Sequence, residues 1–94
     1  MEVTYKQRAA NAINKVVYFI ENNNTEGSGM RWFEHLDDKI NSLAKSNIRL
    51  QLCRYKTLAR YNYNCFYYKG WVIAYRISQD KLEVYRFIWN ARLP

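Results

Sequence analysis

Two runs near the end of the chain decide the architecture, Gly70-Trp-Val-Ile-Ala-Tyr-Arg-Ile77 and, after a break at Ser78-Gln79-Asp80, Lys81-Leu-Glu-Val-Tyr-Arg-Phe-Ile-Trp89. Both are rich in β-branched and aromatic residues, which suit a pleated, half-buried surface. Successive strand side chains point to opposite faces, so Trp71, Ile73, Tyr75 and Ile77 share one face and Val72, Ala74 and Arg76 the other. In the following strand Leu82, Val84 and Ile88 are expected to share a face. Upstream, Lys69-Gly70 reads as a tight turn, and residues 61–68, Tyr-Asn-Tyr-Asn-Cys-Phe-Tyr-Tyr, read as a strand leading into it. The three strands predict an antiparallel meander.

The first half of the chain has a different period. Residues 2–7 alternate as a short strand does. From Arg8 to about Asn22, Ala9, Ile13, Val16, Val17 and Ile20 recur at helical spacing. The polar run Asn22 to Gly29 is a turn, and Ser28 is the expected N-cap of a second helix. In that helix Phe33, Leu36, Ile40 and Leu43 form the stripe that would pack on the first, with Asn47 the expected stop. Ile48, Leu50 and Leu52 alternate with polar residues, a pattern that fits a strand or a loop over the sheet equally well. The order β-α-α-β-β-β predicts an α+β domain, a helical hairpin on one face of a small, mainly antiparallel sheet. The opposite face is expected to lack a cover of its own.

Ninety-four residues make one small domain, 1–94, too short for a separate cofactor module. The longest apolar runs, Val16 to Ile20 and Trp71 to Tyr75, fall far below the roughly 20 residues of a membrane span. With no signal peptide in view, the expected location is the cytoplasm. A reducing compartment makes Cys53 and Cys65 free thiols by default. One histidine and no CxxC pair leave too few ligands for a metal site, and no cofactor motif is present.

Charge is unevenly distributed. Residues 1–46 balance six bases against six acids, whereas residues 47–94 carry nine bases against Asp80 and Glu83, so the whole net charge of +7 lies on the second half. Such an excess predicts an anionic partner, either nucleic acid or an acidic polypeptide. Alternation and turns place Arg60, Lys69, Arg76, Arg86 and Arg92 outside the core. With Trp89 they form the expected partner-facing set. Tyr61, Tyr63, Tyr67, Tyr68 and Tyr75 divide between stacking on a partner and packing within the sheet.

Three segments in order resemble the RelE/ParE superfamily, the toxins of bacterial type II toxin–antitoxin pairs. They are Val3-Thr-Tyr-Lys-Gln-Arg-Ala9 leading to Val17-Tyr-Phe-Ile-Glu-Asn22, then Phe33-Glu-His-Leu-Asp-Asp-Lys-Ile-Asn-Ser-Leu43, then the Gly70–Ile77 and Leu82–Arg92 pair. The last is similar to the family's "YxIxYRI, turn, VxIxxxxHxxR" ending. The resemblance implies a cognate antitoxin with an acidic segment, and a role in growth inhibition and plasmid stabilisation. RelE-like members cleave ribosome-bound mRNA with basic side chains on the sheet face. The positions of their paired lysines fall on Tyr63 and Cys65, and that of their strand arginine on Val72. ParE-like members instead inhibit DNA gyrase by binding and commonly end in His-x-x-Arg, where Trp89 and Arg92 stand here. The resemblance therefore favours ParE-like binding. The alternatives are an mRNA endonuclease with a rearranged set (Arg60, Lys69, Arg92) and a degenerate binding module. A homodimer or heteromer is compatible with the aromatic content.

Overall fold

The computed structural model describes residues 1–46 and 51–93. Strand β1 (Glu2–Tyr5) is followed by helices α1 (Gln7–Asn23) and α2 (Ser28–Lys45) and by a one-turn helix α3 (Lys56–Ala59). Strands β2 (Asn64–Tyr68), β3 (Trp71–Ser78) and β4 (Lys81–Trp89) complete the fold, with a 3-10 turn at Asn90–Arg92. The sheet order is β1-β4-β3-β2. β1 runs parallel to β4, and the other two pairs are antiparallel. The expected order and sheet character hold. The predicted stop at Asn47 and the predicted alternation at Ile48 and Leu50 lie outside the described residues.

Helices α1 and α2 pack on one sheet face because their apolar stripes meet it. Ala9, Ile13, Leu36 and Ile40 join Ile73, Tyr75, Leu82, Val84 and Phe87 in the main core. Tyr5 fastens β1 to α2 by donating its hydroxyl to Asp37 Oδ1 at 2.6 Å. Burial, then that hydrogen bond and the charge of Asp37, push the Tyr5 phenol well above its ordinary value.

The α1–α2 turn differs from expectation in its chemistry. Ser28 is the first residue of α2 and does not cap it; its hydroxyl donates to Ile20 O at 3.3 Å. The cap comes from α1, where the Glu21 carboxylate accepts from Gly27 N at 2.7 Å and Gly29 N at 2.9 Å. A carboxylate at a helix N-terminus satisfies amides that lack an intrahelical partner. Gly27 adopts φ +83°, whereas Gly29 is there for space: a Cβ at that position would lie 2.5 Å from Val17 O.

The far sheet face does not lack a cover. Gln51–Cys53 lies against β2, with Leu52 bridging Asn64, Cys53 N bonded to Tyr63 O (3.2 Å) and Cys65 N bonded to Gln51 O (3.0 Å). α3 follows, and Cys53, Leu58, Cys65, Val72 and Ala74 form a second small core, flanked by Tyr55, Tyr63, Ile88 and Leu93. Cys53 and Cys65 are joined in a disulfide with a Cα–Cα distance of 4.8 Å. The expectation of free thiols is thus overturned. The strand pairing brings two residues 12 apart in sequence into the spacing that a disulfide needs.

One further correction concerns β4. Its pairing with β3 slips between Ala74 and Tyr75, so that Ala74 opposes Arg86 while Tyr75 opposes Val84. Tyr85 is the extra residue of a β-bulge. The bulge changes the phase of the strand, so Leu82, Val84 and Phe87 enter the main core while Ile88 packs into the second core with Val72.

Candidate functional site

The bulge does more than rephase the core. It delivers Tyr85 and Arg86, neighbours in sequence, to the same shallow cleft, which they line with Lys6, Arg8, Tyr61 and Tyr63. Bulges often re-aim side chains in this way at functional sites. The cleft encloses about 440 Å³. The rings form a ladder, Tyr61–Tyr63 at 5.7 Å and Tyr63–Tyr85 at 5.1 Å between centroids, both tilted by 31°. Cations sit on these rings: Arg60 over Tyr61 at 4.9 Å, Arg76 over Tyr63 at 4.9 Å and Tyr85 at 5.3 Å, and Lys6 over Tyr85 at 5.4 Å.

These cations are not equally occupied. Arg76 donates to Tyr61 O, Arg60 donates to the Tyr61 hydroxyl at 2.9 Å, and Lys6 pairs with Glu83 at 2.9 Å. Among the described residues, the guanidinium groups of Arg8 and Arg86 have neither a hydrogen-bond acceptor nor a carboxylate partner. Burial, followed by the like charge of Arg8, lowers the Arg86 guanidinium from its ordinary value. The hydrogen bond from Arg60 and its charge, assisted by Arg8 and Arg86, hold the Tyr61 phenol below its usual value.

A second and larger concavity, about 860 Å³, runs between α1 and the last residues of β4. It exists because β1 pairs only with residues 81–84 of β4 and leaves the rest of that edge bare. Asn90 N bonds Gly70 O at 2.8 Å. Counting back in twos, Ile88 and Arg86 turn their backbone groups toward β3, while Phe87 and Trp89 turn theirs outward. The groove walls combine apolar residues (Val16, Phe19, Trp71, Trp89) with Arg8, Lys15, Arg86 and Arg92. Trp89 packs edge-on to Trp71 at 5.1 Å and shields Gly70, whose φ is +86°, yet it stays 43% exposed. It therefore serves in packing and also presents a surface.

Of the residues singled out from sequence, Arg86, Trp89 and Arg92 meet in the groove. Arg60 and Arg76 join the tyrosine ladder. Lys69 stands apart at the β2–β3 turn, over the Tyr68 ring at 5.4 Å. Arg60, Lys69 and Arg92, the rearranged catalytic set, are thus distributed over three places, and neither concavity holds more than one of them. Tyr68 and Tyr75 belong to the main core, whereas Tyr61 is 46% exposed. Sequence reasoning missed Arg8, Lys15 and Phe19 because they lie in the half of balanced charge. Phe19 carried a usable signal, since it falls off the apolar stripe of α1 and is 68% exposed.

At the positions where RelE-like proteins carry their bases, Val72 is fully buried, Cys65 is in the disulfide and Tyr63 is stacked in the ladder. Among the described residues, no group of three or more His, Cys, Asp or Glu is placed to hold a metal, and no helix is long and apolar enough to cross a membrane.

A small mixed sheet with a helical hairpin on one side and cationic concavities at the β4 edge is the α+β architecture that the resemblance to the RelE/ParE superfamily implied. The sequence model described as "ParE toxin of type II toxin-antitoxin system, parDE" matches residues 3–93, and the chain belongs to that family. The family implies an antitoxin partner. Compared with curated proteins, the chain has no significant match.

Proposed function

We propose that this toxin arrests its host by binding an essential machine of the DNA-gyrase class, and that an antitoxin segment carrying acidic side chains occupies the α1–β4 groove to prevent it. The observation that carries the target reading is the chemistry at positions 63, 65 and 72. Cleavage of RNA through its 2′-hydroxyl needs bases and acids aimed at the reacting atoms. A disulfide sulfur and a buried valine supply none, and at the remaining position the tilted ring of Tyr63 stands in place of a lysine. What remains is a surface suited to holding partners. The antitoxin reading is supported by the backbone of Phe87 and Trp89, which turns away from β3 and is unpaired among the described residues, by the apolar floor and by the four cations around it. The reading requires that the chain act in the cytoplasm.

The test is expression of the chain from a tight inducible promoter, with growth, plasmid supercoiling and new mRNA 5′ ends followed in one culture. Arrest with lost supercoiling and no codon-positioned cuts is the expected outcome. Codon-positioned cuts would revive the endonuclease, and unimpaired growth at good yield would leave a binding module without toxicity.

A further inference from the structure

The Tyr61–Tyr63–Tyr85 ladder plays no part in the antitoxin reading, which shares with it only Arg8 and Arg86. The two concavities differ in kind. The groove has aliphatic and indole walls that would take peptide side chains, whereas the cleft is lined only by tyrosines and cations. Aromatic rings interleaved with arginines suit unpaired bases, because every base has a π-face and every step carries a phosphate. Tyr61 is the exposed end of the ladder. Arg8 and Arg86, alone among the lining residues, face both concavities and so straddle the ridge between them.

The surroundings reinforce an anion. Lys6 is the N-cap of α1, no side chain caps that helix, and its first turn carries no acid, so the positive end of the helix opens beside the cleft. Among the described residues no carboxylate lines the cleft, and Glu83, beside it, is paired with Lys6. The volume of about 440 Å³ is in the range of sites that take one small-molecule-sized unit.

We propose that this cleft binds a single-stranded nucleic-acid segment, with one base extending the stack at Tyr61 and the adjoining phosphate held between Arg8 and Arg86. Binding at this site does not depend on what the toxin's target is.

The test is fluorescence anisotropy of a short labelled oligo-uridine strand, with oligo-thymidine beside it, titrated with the purified full chain over a range of salt. Tyr61→Ala should weaken binding about tenfold and Tyr61→Phe should restore most of it, since the ring and not the hydroxyl stacks. The double change Arg8→Ala with Arg86→Ala should reduce the salt slope by about 0.7, as expected when one phosphate of a single strand is no longer neutralised. Lys39→Ala, which removes a charge from α2, should do neither. The proposal is overturned by no binding at low salt, by binding indifferent to Tyr61 and to the arginine pair, or by polyglutamate competing with the same dependence on Tyr61. Uridine monophosphate binding as tightly as the strand would overturn it in favour of a free nucleotide. Because Tyr61 is exposed, its variants read the site without disturbing either core.

Discussion

Glu21 shows how much one side chain organises. Its carboxylate reaches from the last turn of α1 to the amides of Gly27 and Gly29, and those two hydrogen bonds hold its pKa below the ordinary 4.5, with a smaller contribution from Arg31. A carboxylate depressed by folding contributes stability that is present above its unfolded value and lost as pH falls through its folded one. Glu21→Gln should therefore lower the urea midpoint at neutral pH, and the difference from the parent should shrink progressively below about pH 4.5. An equal difference at every pH would mean that the carboxylate charge is not what caps α2. Arg8 and Arg86 present the converse case, two like charges held close without a neutralising acid, which is unfavourable in isolation and useful once an anion arrives.

Among the elements, the helical hairpin and the second core make separate predictions. Gly29→Ala would drive a Cβ against the Val17 carbonyl at 2.5 Å and its Cγ1 at 3.1 Å, so the helices must separate. The expected loss is about 1–3 kcal/mol, read from chemical denaturation. Reducing the Cys53–Cys65 bond should cost about 2–4 kcal/mol and accelerate hydrogen exchange at the Cys53 and Cys65 amides first. If stability were unchanged by reductant, the second core would be held by packing of Leu58 and Val72 alone. The elements themselves were largely legible in the sequence, because periods of 3.6 and 2 survive wherever one face is buried. The bounds of β4 are those expected, whereas β2 is shorter than residues 61–68 would suggest. The bulge at Tyr85 was not legible, since a bulge is a property of two paired strands and β4 alone shows only an alternation. The disulfide was hidden for the same reason, as nothing in the composition brings Gln51–Cys53 to the edge of β2. Of the candidate site, the cations of the second half could be read from charge and alternation. The α1 contribution could not, because balanced charge along the sequence conceals segregation in space.

That segregation governs the molecule as a whole. Lys6, Arg8 and Lys15 turn toward the two concavities, while Glu34, Asp37 and Asp38 on α2 line neither. The functional charge asymmetry is therefore one of faces and not of halves. If an acidic antitoxin segment lies in the groove, Arg92→Ala and Lys15→Ala should each weaken the complex several-fold, mostly at low salt, since rim charges act through screened attraction. Trp89→Ala should weaken it at every salt concentration, because a half-exposed indole contributes through apolar contact. Isothermal titration with the purified antitoxin separates the two, and a Trp89 variant with unaltered affinity would move the antitoxin elsewhere. The bulge has a last consequence, concerning length. Removing Tyr85 alone would restore regular alternation from Val84 to Arg86 to Phe87, leaving both cores intact and the inner end of the ladder gone. A single codon gained or lost at this point is thus a small genetic step that lengthens or shortens the ladder by one ring while sparing the fold.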